Sequence, residues 1–506
     1  MGMPIAVSPS VMTPGLYLTV DLLAGPAGPG GSALRTVIMA SKSSAGDLTN
    51  DDEVRTGEGA DSAATAFGEG TLGHLMAKII YGKYPAAQVD FISPAPGAGT
   101  ATLDITAGGA VAANQAVVFD IMGRSIEVAW LNGVTPADFA TAAIAAINAL
   151  ADDLACVASS GGSGIVSIDS KVPGKVGNDI LVKASLQGAQ TGTETITGAA
   201  AHTPLVGGTT DPDLADALAA IAGKEYHFIV PALSNADVEN VATDSGLKDI
   251  LTHIDNYDSG LGAKLQLVVV GITSTIAHAV ATAASSKGGN DDVRAELIVC
   301  VNGRGLPGEL AAREAVGRLA MESLDPAGNR IGELLDGYIG SWDITGDRPT
   351  QPECETALDG GVSIVTYSQG SDAEQLVRSV TCHGSDKRCT DVQNVSATYI
   401  VARDVRDNLP LAFPNAKVTP DVAEGTDPPP AGVLEERDIK AWSINRLGAW
   451  VRKGVITKAS LDAAIADGSL VVKVNESDTT QVDLVLPFKI VQPWAKAGVV
   501  VQRIPG

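Results

Sequence analysis

Lys264-Leu-Gln-Leu-Val-Val-Val-Gly271 decides the fold. A run this apolar, rich in β-branched residues and closed by glycine, reads as a central strand buried on both faces. Tyr226-His-Phe-Ile-Val230 precedes it as a second strand, and Glu296-Leu-Ile-Val-Cys-Val301 follows as a third. Helical patterns lie between and around them, over Leu214–Ile221, about 236–255, about 273–286 and Pro307–Leu324. Upstream, Leu34–Ala40 and Gln88–Ile92 read as strands. Thr71–Tyr81 between them reads as a helix, with Leu72, Leu75, Ile79 and Ile80 at 3/4 spacing. Strands alternating with helices predict a mostly parallel sheet covered on both faces.

The chain has 506 residues, which predicts several domains of roughly 100–200 residues each. Hydrophobic residues make up 45% and aromatics only 4%, so the cores are expected to be built from small side chains. A net charge of −24 argues against coating nucleic acid, which needs a positive field. No apolar run reaches about 18 residues, so no membrane-spanning helix is expected. Met1–Pro9 has neither the basic region nor the apolar core of a signal peptide, so synthesis in the cytoplasm is expected.

Composition divides the chain. Residues 96–208 are rich in Ala, Gly and Thr. Their strand candidates are Thr102–Ile105, Ala116–Phe119, Ser125–Trp130, Gly164–Ile168 and Asp179–Val182. A helix starts after Thr135 as N-cap, with Pro136 at its first position and Asp138 in its first turn. Pro94–Gly99 and Gly207-Gly208 bound this segment, which reads as an inserted small β-rich domain. The α/β core is then discontinuous, 33–95 and 209–360. A C-terminal α+β domain is expected over 361–492. It starts with Ser363–Tyr367 and Gln375–Thr381 as paired strands. Val395–Arg406 fits a helix or a strand, and Pro410–Pro430 reads as loop. Helices Leu434–Lys453 and Lys458–Ala466 follow, then strands Leu470–Val474 and Gln481–Phe488. Residues 1–32 and 493–506 are arms. Each carries a strand pattern, Pro14–Leu22 and Lys496–Ile504, with no adjacent run to pair with, and Gly25–Ser32 links the first to the core. Such strands suit addition to another chain's sheet. The expected class is therefore a multidomain α+β / α/β protein with extended, strand-exchanging arms.

Chemistry-bearing motifs are sparse. Gly68-Glu-Gly-Thr-Leu-Gly73 has G-x-G-x-x-G spacing, but Ala60–Ala66 before it is small and polar rather than a buried strand. A pyrophosphate would lack the strand–turn–helix that aims it, so helix entry is preferred to nucleotide binding. Six histidines are scattered without metal-ligand spacing, and no catalytic, cofactor or metal site is expected. None of the five cysteines forms Cys-x-x-Cys. Free thiols are the default, with Cys382 and Cys389, flanking a polar loop, the first pair to test for a disulfide if the protein leaves the cell. On the helix near 434–453, Ala441, Ile444, Leu447 and Val451 form one stripe. Trp442, Arg446, Trp450 and Lys453 form another. The second stripe is either an interface for an acidic partner or a pair of half-buried tryptophans with snorkelling cations.

In this layout the chain resembles the contractile tail sheath proteins of bacteriophages, the Mu-like sheaths in particular. The resemblance rests on Pro14-Gly-Leu-Tyr-Leu-Thr-Val20, Phe67-Gly-Glu-Gly-Thr-Leu-Gly-His-Leu-Met76, Gly177-Asn-Asp-Ile180, Leu358-Asp-Gly-Gly-Val-Ser-Ile364 leading into Gln375–Thr381, and the final strand. It implies a non-enzymatic virion protein, assembled in the bacterial cytoplasm as stacked hexameric rings around a tail tube. Contraction would drive the tube through the host envelope. The implied partners are further copies of the chain, the tail tube protein, and baseplate and tail terminator proteins, with no nucleic acid and no membrane. Arm residues Leu16, Tyr17, Leu18, Val20, Val499, Val500, Val501 and Ile504 would lie between subunits. Ser363–Tyr367, Gln375–Thr381 and Gln481–Phe488 of a neighbour would form the acceptor sheet. Trp442, Arg446, Trp450 and Lys453 would face the tube. A bacteriocin or injection-system sheath shares these mechanics, and a nucleotide-binding enzyme on the α/β core is the other alternative.

Overall fold

The computed structural model describes residues 17–18, 34–239, 246–257, 260–261, 263–286, 293–328, 330–335, 348–367, 374–382, 390–422, 430, 432–477 and 481–492. Its centre is an eight-stranded sheet. The order is Glu374–Arg378, Ser363–Tyr367, Ala295–Val299, Leu267–Ile272, Phe228–Pro231, Arg35–Met39, Gln88–Ile92 and Arg55–Thr56. The middle six run parallel, and each edge strand is antiparallel. All residues of Leu267–Ile272 and Ala295–Val299 are buried, Glu296 included, as interior strands covered on both faces require.

Alternation along the strands divides the core in two. Ile38, Val230 and Val269 pack on the side of helices Leu72–Lys83 and Pro307–Leu324. Val37, Ile229, Val268 and Val270 pack on the side of Ala215–Ile221, Gly246–Tyr257 and Ile276–Ser286.

Sheet membership does not follow the expected break at 361. Ser363–Tyr367 lies parallel to Ala295–Val299, and Glu374–Arg378 closes that edge. Ile364 and Val365 are fully buried on opposite faces, so this strand completes the central core. The C-terminal unit begins instead with the helix Val392–Ala412, where either a helix or a strand was expected. Its β-branched residues, Val392, Val395, Thr398, Ile400 and Val401, suit both. Burial around most of its circumference requires a helix that satisfies its own backbone. Two short helices, Ala60–Phe67 and Gln351–Asp359, were not expected. The second carries a readable start signal: the Thr350 N–H donates to Glu353 Oε2 at 2.7 Å, half of a capping box.

The insert folds as two four-stranded antiparallel sheets and the helix Pro136–Asn148. Thr135 caps that helix as expected, accepting from the Asp138 N–H at 3.2 Å. Trp130 stacks on Phe139 with centroids 4.5 Å apart and donates its indole N–H to the Val134 carbonyl. The two connections to the core pair with each other. The Thr209 N–H donates to Ala98 O at 2.8 Å, and within the insert the Gly174 N–H donates to Gly99 O at 2.8 Å. Gly97 lies so close to the Thr210 carbonyl that a β-carbon would overlap it, so glycine here allows two backbones to touch.

Phe139→Ala should destabilise the insert by about 3–5 kcal/mol, because it empties the stack of a buried aromatic. Urea unfolding followed by Trp130 fluorescence measures it; a loss under about 1 kcal/mol would contradict the packing described.

Candidate functional site

A polar seam joins the central sheet to the C-terminal helices. His227, at the start of Phe228–Pro231, is fully buried between helices Pro307–Leu324 and Val392–Ala412. Arg403 can only donate, so its Nη1, 2.8 Å away, makes His227 Nδ1 the acceptor. The ring proton is then on Nε2, which donates to Glu322 Oε2 at 2.7 Å. Ser396 Oγ donates to the same carboxylate at 2.6 Å. Burial and the adjacent Arg403 charge hold His227 below its ordinary value, so it stays neutral. Arg403 and Arg406 share Glu225, at 2.9 and 2.6 Å.

The seam continues beneath the sheet. Arg318 contacts Glu296 at 3.2 Å and Glu322 at 3.4 Å, and Arg330 pairs with Glu314. Burial and the Glu314 charge push Glu296 up, while Arg330 and Arg318 overcome burial at Glu314 and hold it down. One-sided removal of a partner here would strand a buried charge.

The expected outward stripe of the helix Glu436–Arg452 is divided by this network. Trp450 is fully buried and donates its Nε1–H to Asp404 Oδ2 at 3.0 Å. Arg446 donates through Nε to Asp404 Oδ2 at 2.7 Å. Trp450 is committed within the chain and does not face outward, whereas Arg446 is held by Asp404 with 33% of its side chain still exposed. The cause is Asp404, itself fully buried on Val392–Ala412, which needs donors. Trp442 is half-buried against Phe413, and Lys453 is exposed with its ammonium 5.5 Å from the Trp450 ring. The inward stripe is shifted too: Ile439, Ser443, Leu447 and Trp450 are buried, whereas Ala441 is exposed.

The expected acceptor sheet is not one sheet. Ser363–Tyr367 belongs to the central sheet. Val482–Val485 pairs only with Val471–Val474 among the described residues, as an antiparallel hairpin. On the outer side of Val471–Val474, the Val474 N–H is taken by Glu436 Oε1 at 2.7 Å. The flank of Val482–Val485 is open among the described residues, and all four of its residues are half-buried. Tyr17–Leu18 pairs antiparallel with Gly260–Leu261 of its own chain. Leu16, Val20, Val499, Val500, Val501 and Ile504 lie outside the described residues. Cys382 is fully buried in the same core cluster as Ile364, not exposed in a polar loop, because its N–H is bonded to Ala295 O at 3.0 Å at the end of an interior strand. Cys389 lies outside the described residues, and with it the question of their pairing.

The glycine loop does not form a phosphate cradle. A helix, Ala60–Phe67, precedes it where a strand would be needed. The Gly70 N–H donates to His74 Nδ1 at 2.9 Å, and the Gly68 and Thr71 N–H groups go to Ala64 and Gly68 carbonyls. Gly70, at φ 68°, packs against the Ala151 carbonyl. An adjacent shallow cavity of about 460 Å³ presents Asp61, Glu69 and Asp152, which repel phosphate. None of the seam residues beyond Arg446 and Trp450 stood out in the sequence; their partners are too distant along the chain to form a spacing motif.

No sequence family and no curated protein matches the chain. Among solved structures it is similar to a sheath tail protein from Desulfitobacterium hafniense, at 16% identity and a TM-score of 0.43, over 88% of this chain and 91% of that one. It is also similar to a sheath tail protein from Listeria innocua, at 13% identity and a TM-score of 0.38, over 85% and 87% of the two chains.

Asp404→Ala should cost roughly 3–5 kcal/mol, because it leaves Arg446 and the Trp450 indole without their acceptor. Lys453→Ala should stay within about 0.5 kcal/mol, as for an exposed side chain. Equal losses in chemical denaturation would overturn this division of the helix.

Proposed function

We propose that the chain is a structural subunit of a contractile phage tail sheath. The observation that carries the reading is the unfinished hairpin of Val471–Val474 and Val482–Val485. The helix Glu436–Arg452 braces this hairpin through Val474, and a further strand on the flank of Val482–Val485, open among the described residues, would complete it. The chain's own sequence contains a suitable guest in Lys496–Ile504, Val-rich and placed on an arm beyond Pro493. When the guest comes from a second copy, each subunit is both donor and acceptor. Such a head-to-tail contact closes into rings or propagates as a helix.

The motif order that resembles the Mu-like sheaths supports the same reading. Copies would stack as hexameric rings around a tail tube in the virion, between a baseplate and a terminator. Exposed Arg452 and Lys453, at the end of the helix Glu436–Arg452, supply cations for a tube surface. The buried seam fits a subunit that swings as one body on contraction, with the arm strands as the joints. The acidic surface suits a protein held at high local concentration without sticking to nucleic acid.

Negative-stain electron microscopy of the purified chain should show rings or tubes, and deletion of residues 496–506 should abolish them. A wild-type chain that stays a monodisperse monomer at high concentration would refute the reading. So would a deletion variant that polymerises as well as the parent.

A further inference from the structure

The insert meets the α/β body at a junction built from carboxylates. Asp179, at the end of the insert's turn Lys175–Asp179, accepts the Asn235 N–H at 2.9 Å and its Nδ2 at 3.1 Å. Asn235 is itself held by Thr273, whose N–H donates to Asn235 Oδ1 at 3.0 Å at the end of a central strand. Beside this contact, Asp211 accepts from Lys175 Nζ at 2.7 Å and from Ser234 Oγ at 2.7 Å. Ser234 Oγ in turn accepts the Asp237 N–H at 2.9 Å. Asp237 is 5% exposed. Its Oδ1 accepts the Gly246 N–H at 3.1 Å, and among the described residues its Oδ2 has no hydrogen-bond donor.

Three carboxylates thus converge from three segments, the insert turn, the returning connection and the Ser234–Asp237 turn, with Asp249 adding further negative charge near Asp237. Lys175 is the cation that faces Asp211 and Asp237. One ammonium cannot neutralise three carboxylates, and the undonated Asp237 Oδ2 is the position a proton would take.

We infer that this junction is a proton-operated latch: the insert is held against the body while Asp179 and Asp237 retain a proton and loosens as these two ionise. Burial, reinforced by the Asp211 charge, pushes both Asp179 and Asp237 up to about 7, so the sign follows directly. A carboxyl raised in the closed state binds its proton more tightly there than when solvated. Closure is therefore fully favoured below the ordinary carboxylate range and is lost as pH rises through about 7. The latch acts within one subunit and does not depend on assembly.

Hydrogen exchange of the full, unassembled chain tests this between pH 5 and pH 8, after correction for intrinsic exchange. The amides to follow are Asn235, bonded to Asp179, Lys175, bonded to Thr210, and Thr209, bonded to Ala98. Their protection should fall by up to about tenfold per pH unit for each carboxyl that is solvated on opening, until pH reaches about 7. Val268, in the central sheet, should show no such slope. Asp237→Asn should flatten the slope by one carboxyl's share; if that variant does not fold, Asp179→Asn takes its place. Protection independent of pH, or a slope unchanged in the folded variant, would overturn the latch.

Discussion

Arg403 has donors and no acceptors, and that constraint organises the lower half of the molecule. It sets the His227 tautomer, which sends the ring N–H to Glu322 and places Ser396 on the same carboxylate. Through Glu225 and the Leu265 carbonyl it also anchors the helix Val392–Ala412 to the N-terminal ends of two interior strands of the central sheet. A purely apolar interface could slide; a buried network with fixed donors and acceptors accepts one register only. The sheet, the helix Pro307–Leu324 and the C-terminal helices are therefore one mechanical piece.

Below that piece, Asp404 repeats the device on a smaller scale. It holds Arg446 and Trp450 and fixes how the helix Glu436–Arg452 lies. This leaves the hairpin Val471–Val474 and Val482–Val485 at the rim, with a flank open among the described residues. Under the proposed function the rigid interior and the unfinished edge would be complementary, since a subunit pulled through an exchanged strand would need a body that does not deform.

Much of the central sheet was legible because its strands are short, mostly apolar runs, such as Leu267–Ile272 and Ala295–Val299 with its single buried Glu296. The insert was legible from Thr135-Pro136 and from alternation in Ser125–Trp130. What was not legible is partner choice. Ser-Ile-Val-Thr-Tyr at 363–367 reads the same whether it extends the central sheet or starts a new one, because its partners are chosen by long-range packing. Trp450 and Arg446 form a surface-like stripe until Asp404, more than 40 residues earlier, buries the first and pins the second, partly exposed, to the neighbouring helix. The seam escaped for the same reason, since His227 and Arg403 are 176 residues apart. Of the two arm strands expected, only Tyr17–Leu18 lies among the described residues, paired with Gly260–Leu261.

The central claim is that the open flank of Val482–Val485 is completed by another copy of the chain. A density map of the assembled polymer at a resolution that separates strands tests it most directly. A strand traced to residues 496–504 of a neighbouring subunit should lie along Val482–Val485. An unoccupied flank, or one filled by the same subunit's own terminus, would contradict it.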